Sequence, residues 1–251
     1  MKNYYMRANE PTKKDFYKDR YQKEAMVWVD DHGIDEAGKK YLIFSNTIFY
    51  PKGGGQKGDK GVLLLDNNTA EQLSLTTEVN IIDTRKSGEY IAHYIDKDIT
   101  DDLLESQIIG NMFKVCLNWD FRYEQMRLHS IAHLHHCIIE KVLNKKIDFP
   151  SYSELMDDHG INRYAFSDLL NAETAKDVEN ELNRFVSESH DISIYANTDT
   201  NFPEWHRWWE CYNWKIPCGG VHPLNTTEIG VVETSVKSKQ GKTTIKYQIK
   251  K

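Results

Sequence analysis

Residues 122–143 read RYEQMRLHSIAHLHHCIIEKVL, a run without proline or glycine that is too long for a strand and predicts one long helix. Ile131, Leu134, Ile138 and Val142 recur at helical spacing as its apolar stripe, while His129, His133, His136 and Glu140 form a polar face. His129 and His133 are one turn apart on that face, so both imidazoles can converge on one ion. Taken alone such a face reads as solvated. The general-base glutamate of a thermolysin-like H-E-x-x-H helix is also missing, with Ser130 in its place.

Ahead of this helix the texture is different. Short alternating runs, AMVWVDD (25–31), YLIFSNTIFY (41–50), GVLLLD (61–66), NIIDTR (80–85) and YIAHYI (90–95), are separated by Gly, Asp and Asn turns and predict an all-β unit. MFKVCLNW (112–119) is strand-like as well. Behind the long helix, Val178, Leu182, Phe185 and Val186 predict a second helix over 168–187, followed by a strand at ISIYAN (192–197). The C-terminal stretch from Glu228 to Ile249 alternates about Gln240 and Gly241 as a closing hairpin. These patterns predict an α+β chain of two domains, 1–105 and 106–251, divided in the acidic segment DKDITDDLLES (96–106).

The 251 residues carry a formal net charge of −6, which excludes generic clinging to polyanions and makes any nucleic-acid contact local. Lys237, Lys239, Lys242, Lys246, Lys250 and Lys251 give a basic C-terminal end that reads first as a solvated strand. The opening MKNYYMRANEPTKK has no apolar core of a signal peptide, and no long apolar run follows, so a cytoplasmic protein with no membrane partner is expected. Cys116, Cys137, Cys211 and Cys218 lack scaffold spacing and read as free thiols or metal ligands.

Cys218 and His222 lie four apart in IPCGGVHP (216–223). Added to the histidine pair they make the nitrogen and sulfur donor set that tetrahedral zinc prefers, so His129, His133, Cys218 and His222 are the candidate metal ligands and Zn2+ the candidate cofactor. Gly219 and Gly220 let the backbone turn tightly between the ligands. His133 with Cys137, or Cys211 as thiolate donor, are competing assignments, and Cys211 sits in the aromatic stretch WHRWWECYNW (205–214), which reads as packed rings or as a nucleotide-touching loop. In FYPKGGGQKGD (49–59) no G-K-[ST] follows the glycines, so a nucleotide P-loop is excluded. Three glycines in a row exceed what a turn needs and point to a close backbone approach.

FYPKGGGQKGD, MRLHSIAH (126–133) and CGGVH followed by NTTEIG (218–222 and 225–230) occur in the order and separations of one family. From about residue 25 to the end, the chain resembles the free-standing AlaX-type alanyl-tRNA editing proteins and the editing domain of alanyl-tRNA synthetase. The editing domain of threonyl-tRNA synthetase is a weaker match, because it lacks the YPKGGGQ stretch. The resemblance implies a β-barrel-like N-terminal domain and an α/β editing domain with a long helix packed on an antiparallel sheet. It implies hydrolysis, without ATP, of the ester joining serine or glycine to tRNA(Ala).

By position the four candidate ligands match the family's zinc residues, and Gly53, Gly54, Gly55 and Gln56 match its glycine-rich motif beside the editing pocket. Asp120, Arg122 and Arg127 in WDFRYEQMR (119–127) are lesser matches. The expected catalytic residues are Gln56, Arg127 and Ser130, and the expected substrate-binding residues are Gly53, Gly54, Gly55, Gly219, Gly220 and Val221. Ala132 and Val221 stand where the family often has threonine, which bears on how serine is told from glycine or alanine. A non-catalytic zinc-stapled tRNA-binding module and an editing hydrolase for another mischarged tRNA, such as Ser-tRNA(Thr), are the alternative readings.

Overall fold

The computed structural model describes residues 10–165, 170–198 and 206–250, so the first nine residues, Asp168 at the expected start of the second helix, and Trp205 lie outside it. The fold is α+β. It divides into two compact units, one of residues 1–53 and 57–122 and one of residues 54–56 and 123–251.

In the first unit a short parallel pair joins β1 (Lys13–Lys14) to β4 (Asn46–Thr47). The rest is a closed barrel of β2 (Glu24–Ile34), β3 (Lys40–Phe44), β5 (Gly61–Leu64), β6 (Glu78–Ser87), β7 (Tyr90–Ile95) and β8 (Met112–Leu117), in the cyclic order β2-β3-β7-β6-β5-β8. Every barrel pairing is antiparallel. Closure leaves no strand edge to pair with another chain. The period of two is visible on β2, where Val27 and Val29 are buried while Met26 and Trp28 point outward. Leu42, Phe44, Leu63, Val79, Ile81 and Val115 fill the interior with them.

Two differences from the sequence reading have physical causes. The segment read as purely β holds a helix, α1 (Asn67–Leu73), whose N-terminus is capped by the Asp66 carboxylate accepting from Thr69 N at 2.9 Å. The acidic segment expected to divide the domains instead forms α2 (Asp101–Leu103) and a wide turn over Leu104–Ile108. Leu104 and Ile108 there belong to the barrel core, so after the brief excursion of residues 54–56 into the second unit the chain finally leaves the first between Arg122 and Tyr123. β8 is needed to close the barrel, which carries the first unit past residue 117.

The long helix is α3 (Trp119–Leu143), close to its predicted bounds. The second unit adds β9 (Tyr152–Leu155), β10 (His159–Tyr164), α4 (Ala172–Ser187), β11 (Ile192–Ala196), β12 (Arg207–Cys211), β13 (Trp214–Pro217), β14 (Val232–Lys239) and β15 (Lys242–Ile249). They form an antiparallel sheet ordered β14-β15-β10-β9 and a smaller one ordered β11-β12-β13. The predicted hairpin is β14 and β15, joined at Gln240 and Gly241 with φ of 50° and 73°, the twist-matched turn that favours glycine.

Leu128, Ile131, Leu134 and Ile138 of α3 pack with Val178, Leu182 and Phe185 of α4 and with Trp209, Ile245 and Tyr247 of the sheets. The expected solvated face of α3 is largely covered too, with His129 3 % and His136 4 % exposed and His133 and Glu140 half-buried. A helix covered on several sides can carry polar groups inward only where they find partners.

Candidate metal centre

α3 presents His129 and His133 one turn apart, with ring centroids separated by 5.0 Å. β13 ends at Pro217, and the turn that follows carries Cys218 and His222 to the same place. One donor atom from each of His129, His133, Cys218 and His222 lies within 4.8 Å of all the others. Cys218 Sγ is 3.4 Å from His222 Nε2 and 3.7 Å from His129 Nε2. A nitrogen–sulfur edge of a zinc tetrahedron built from ordinary bond lengths is about 3.6 Å, so these donors are already spaced for such an ion.

The far sides of the rings are held by other side chains. His129 Nδ1 is 2.9 Å from Gln56 Oε1, and because an amide oxygen only accepts, Nδ1 carries the proton and Nε2 keeps its lone pair for the cluster. Ser130 Oγ sits 2.8 Å from His222 Nδ1 and holds the orientation of that ring, its hydroxyl being able to accept from or donate to the nitrogen. His133 Nε2 is buried with no hydrogen-bond partner among the described residues, an orphaned ring nitrogen that a cation would satisfy. The four residues therefore fit a metal ion by spacing, by donor type and by this unsatisfied atom.

Electrostatics agree with a site completed by positive charge. Desolvation pushes His129 down to about 4 and His133 well below its ordinary value, so both rings are neutral and ready to ligate at neutral pH. Desolvation pushes the Cys218 thiol up to about 12, against the Gly220 N–H that points at its sulfur from 3.3 Å. A divalent cation held here would favour the thiolate and so reverse the sign of that balance.

Gly220 is required by close approach: a Cβ there would lie 2.2 Å from His129 Cε1 and 2.4 Å from its Nδ1. Val221, buried, donates its N–H to Gln56 Oε1 at 3.3 Å. In the glycine stretch, Gly55 has φ of +82° and a Cβ there would meet Ser153 O at 2.9 Å, while its own carbonyl accepts from Leu155 N at 2.9 Å. Gly54 has its nearest neighbour in the His129 ring, 3.9 Å from where a Cβ would stand.

A cavity of about 320 Å³ opens beside the histidine pair, walled by Gly54, His129, Ala132, His133, Asn162 and Phe149 among others. Ala132, one of the two positions where the editing proteins that the sequence resembles often carry threonine, is thus on its wall. Sequence reasoning missed Asn162, Ser153 and Phe149. Ser153 Oγ donates to Asn162 Oδ1 at 2.7 Å, Asn162 Nδ2 donates to the Ala132 carbonyl at 3.3 Å, and the Phe149 ring stacks 4.6 Å from that of His136. Their local sequence is polar and patternless, and only the pairing of β9 with β10 brings Ser153 opposite Asn162. Trp209, also missed as a site residue, places its ring 5.1 Å from His133.

Other expected residues stand elsewhere. Arg127 pairs with Glu124 one turn back and lies over the Tyr123 ring at 5.1 Å. Gly53 groups with the barrel unit, where its carbonyl accepts from Tyr50 Oη at 3.1 Å. Arg122 is fully buried, pairs with Asp59 and donates through its guanidinium to the Ile48 carbonyl at 2.6 Å. The competing thiols Cys137 and Cys211 belong to the apolar core, where burial pushes each up to about 12. The aromatic stretch forms the β12–β13 hairpin, with Trp209 inside.

No family model matches the chain. Alanine–tRNA ligase of Saccharolobus islandicus (strain L.S.2.15 / Lassen #1) is 30 % identical over 247 residues, covering 91 % of this chain and 25 % of that protein. The ligase of Metallosphaera sedula is 29 % identical over 246 residues, covering 89 % and 24 %, and that of Ignicoccus hospitalis 25 % identical over 237 residues, covering 88 % and 24 %. The chain spans about a quarter of the length of these relatives. None of the helices among the described residues is long and apolar enough to cross a membrane. With the similarity running through nine-tenths of the chain rather than through its motifs alone, this protein is a homologue of one region of alanine–tRNA ligase, in keeping with an AlaX-like editing domain.

Proposed function

We propose that this protein is a zinc-dependent, cytoplasmic hydrolase that removes serine, and in lesser degree glycine, from mischarged tRNA(Ala). The observation that carries the reading is the convergence of His129, His133, Cys218 and His222 beside a cavity, in a chain whose relatives are alanine–tRNA ligases. The cavity is of a size for an aminoacyl group and the terminal ribose.

His129, His133, Cys218 and His222 would hold the zinc, which would supply positive charge and Lewis acidity for ester hydrolysis. The chain's own residues do the positioning. Gln56 and Ser130 orient the His129 and His222 rings through their Nδ1 atoms. Gln56 Nε2 is buried without a partner among the described residues and serves as a donor toward the reacting oxygen. Ser153 Oγ, which donates to Asn162 Oδ1, keeps lone pairs on one wall of the cavity that can accept from a serine hydroxyl, a bond an alanyl ester cannot make. With the hydroxyls absent at Ala132 and Val221, this wall takes over the discrimination.

Serine release from Ser-tRNA(Ala) by the wild type and by Cys218→Ala tests the reading. The wild type is expected to release serine and Cys218→Ala to lose at least about 100-fold in rate, the scale of removing one stabilising group. Four protein donors also suit a closed zinc staple, and that second reading is the answer if the wild type binds tRNA and zinc but releases no serine.

A further inference from the structure

Lys39, Lys52, Lys57, Lys60 and Arg85 line one concavity of about 290 Å³ in the barrel unit. Its lining carboxylate, Asp83, is already engaged by Arg85 Nε at 2.6 Å and by Thr84 N at 2.9 Å. The concavity therefore holds an excess of positive charge in a chain whose formal balance is −6. Cations gathered this closely repel one another, and a chain of phosphates seated among them would offset that repulsion.

The fold holds the cluster in place. Lys52, Lys57 and Lys60 lie in the loop between β4 and β5, and that loop is pinned to β6: Lys52 N donates to Thr84 O at 2.8 Å. At Gly58 the approach is so close that a Cβ would stand 2.1 Å from Thr84 O. Arg85 lies over the Tyr94 ring at 4.7 Å, which presents its planar fork in one orientation. Lys39 enters from the turn before β3 and is exposed, as are Lys52 and Arg85. Five long cationic side chains spread round a concavity suit several phosphates in a row better than a single small anion, which backbone amides at one point would hold. In sequence, Lys52 and Lys57 bracket the glycine stretch that leads to Gln56.

We infer that this concavity binds the phosphate backbone of an RNA. That the RNA is tRNA(Ala) rests on the proposed deacylase reading; the phosphate chemistry does not. The basic C-terminal hairpin, the more obvious surface in the sequence, belongs to the other unit and serves as the control.

Uncharged tRNA(Ala) is titrated into the full chain over a range of salt concentrations, for the wild type, for Lys39→Gln/Lys52→Gln/Lys60→Gln, and for the control Lys237→Gln/Lys239→Gln/Lys242→Gln, with circular dichroism to confirm folding. Every lysine–phosphate pair removed lowers the slope of log affinity against log salt by roughly 0.7 to 0.9. The concavity variant should lose about 2 in slope and at least about tenfold in affinity, and the control with the same charge change should keep both. The single Lys52→Gln should show the same loss in proportion.

A concavity variant that binds with the wild-type slope, a control that loses as much, or a wild type that does not bind tRNA overturns the inference. So does inorganic pyrophosphate binding that depends on these lysines while tRNA binding does not, which would mark a small-anion site. A wild type that binds tRNA through the concavity but releases no serine from Ser-tRNA(Ala) overturns the deacylase reading and leaves this one standing.

Discussion

Gln56 Oε1 accepts from His129 Nδ1 at 2.9 Å and from Val221 N at 3.3 Å, so one buried amide ties the helix bearing two candidate ligands to the turn bearing the other two. Orientation of a ligand ring by such a partner is commonly worth about ten- to a hundredfold in metal affinity. Gln56→Ala is therefore expected to fold but to bind zinc about 10- to 100-fold more weakly, measured by competition with a chelator. An affinity equal to the wild type's would show that the ring needs no such anchor.

Gly220→Ala places a methyl group 2.2 Å from His129 Cε1, and the ring cannot swing aside without giving up Gln56. Overpacking of this kind costs about 1–3 kcal/mol, and here the strain falls on a ligand. The expected outcome is a lower denaturation midpoint together with loss of bound metal. A variant with the wild-type midpoint and metal content would contradict the close approach.

His93, fully buried in the barrel unit, bonds through Nε2 to Thr47 Oγ1 at 2.8 Å and through Nδ1 to Leu42 O at 3.1 Å, and burial pushes it down to about 3 from an ordinary 6.5. Between those values the unfolded chain takes up a proton that the folded chain refuses. Stability is then full above pH 6.5 and falls as the pH drops toward 3, by about 1.4 kcal/mol per pH unit from this group alone. His93→Gln should be less stable at pH 7 but should show a slope shallower by about that amount in denaturant unfolding between about pH 6 and 4. An unchanged slope would mean that His93 titrates alike in both states.

Much of the architecture is legible locally. The helix around His129, the alternating barrel strands and the hairpin at Gln240 and Gly241 each follow from spacing and turn chemistry, and the structure has them where the pattern put them. What local pattern could not supply is burial. The histidine face of α3 reads as wet because its residues are polar, and it is segments distant in sequence, at Gln56, at Phe149 and from Cys218 to His222, that cover it and give the rings partners. β9 and β10 escape the pattern for a related reason, since SYSELMDDHGINRY (151–164) is mostly polar and pairs through its backbone with β15. The division between units is displaced because Leu104, Ile108 and β8 complete a barrel whose earlier strands lie far back in the sequence.

The most direct test of the central claim is the divalent metal content of the purified chain, measured by elemental analysis for the wild type, His133→Ala and Cys218→Ala. About one zinc per wild-type chain is expected, and nearly none in either variant after mild chelation, since a donor removed from helix or turn leaves the tetrahedron incomplete. A wild type that holds no divalent metal when supplied with zinc, or variants that retain it as tightly, would contradict the claim that these four side chains form one metal centre.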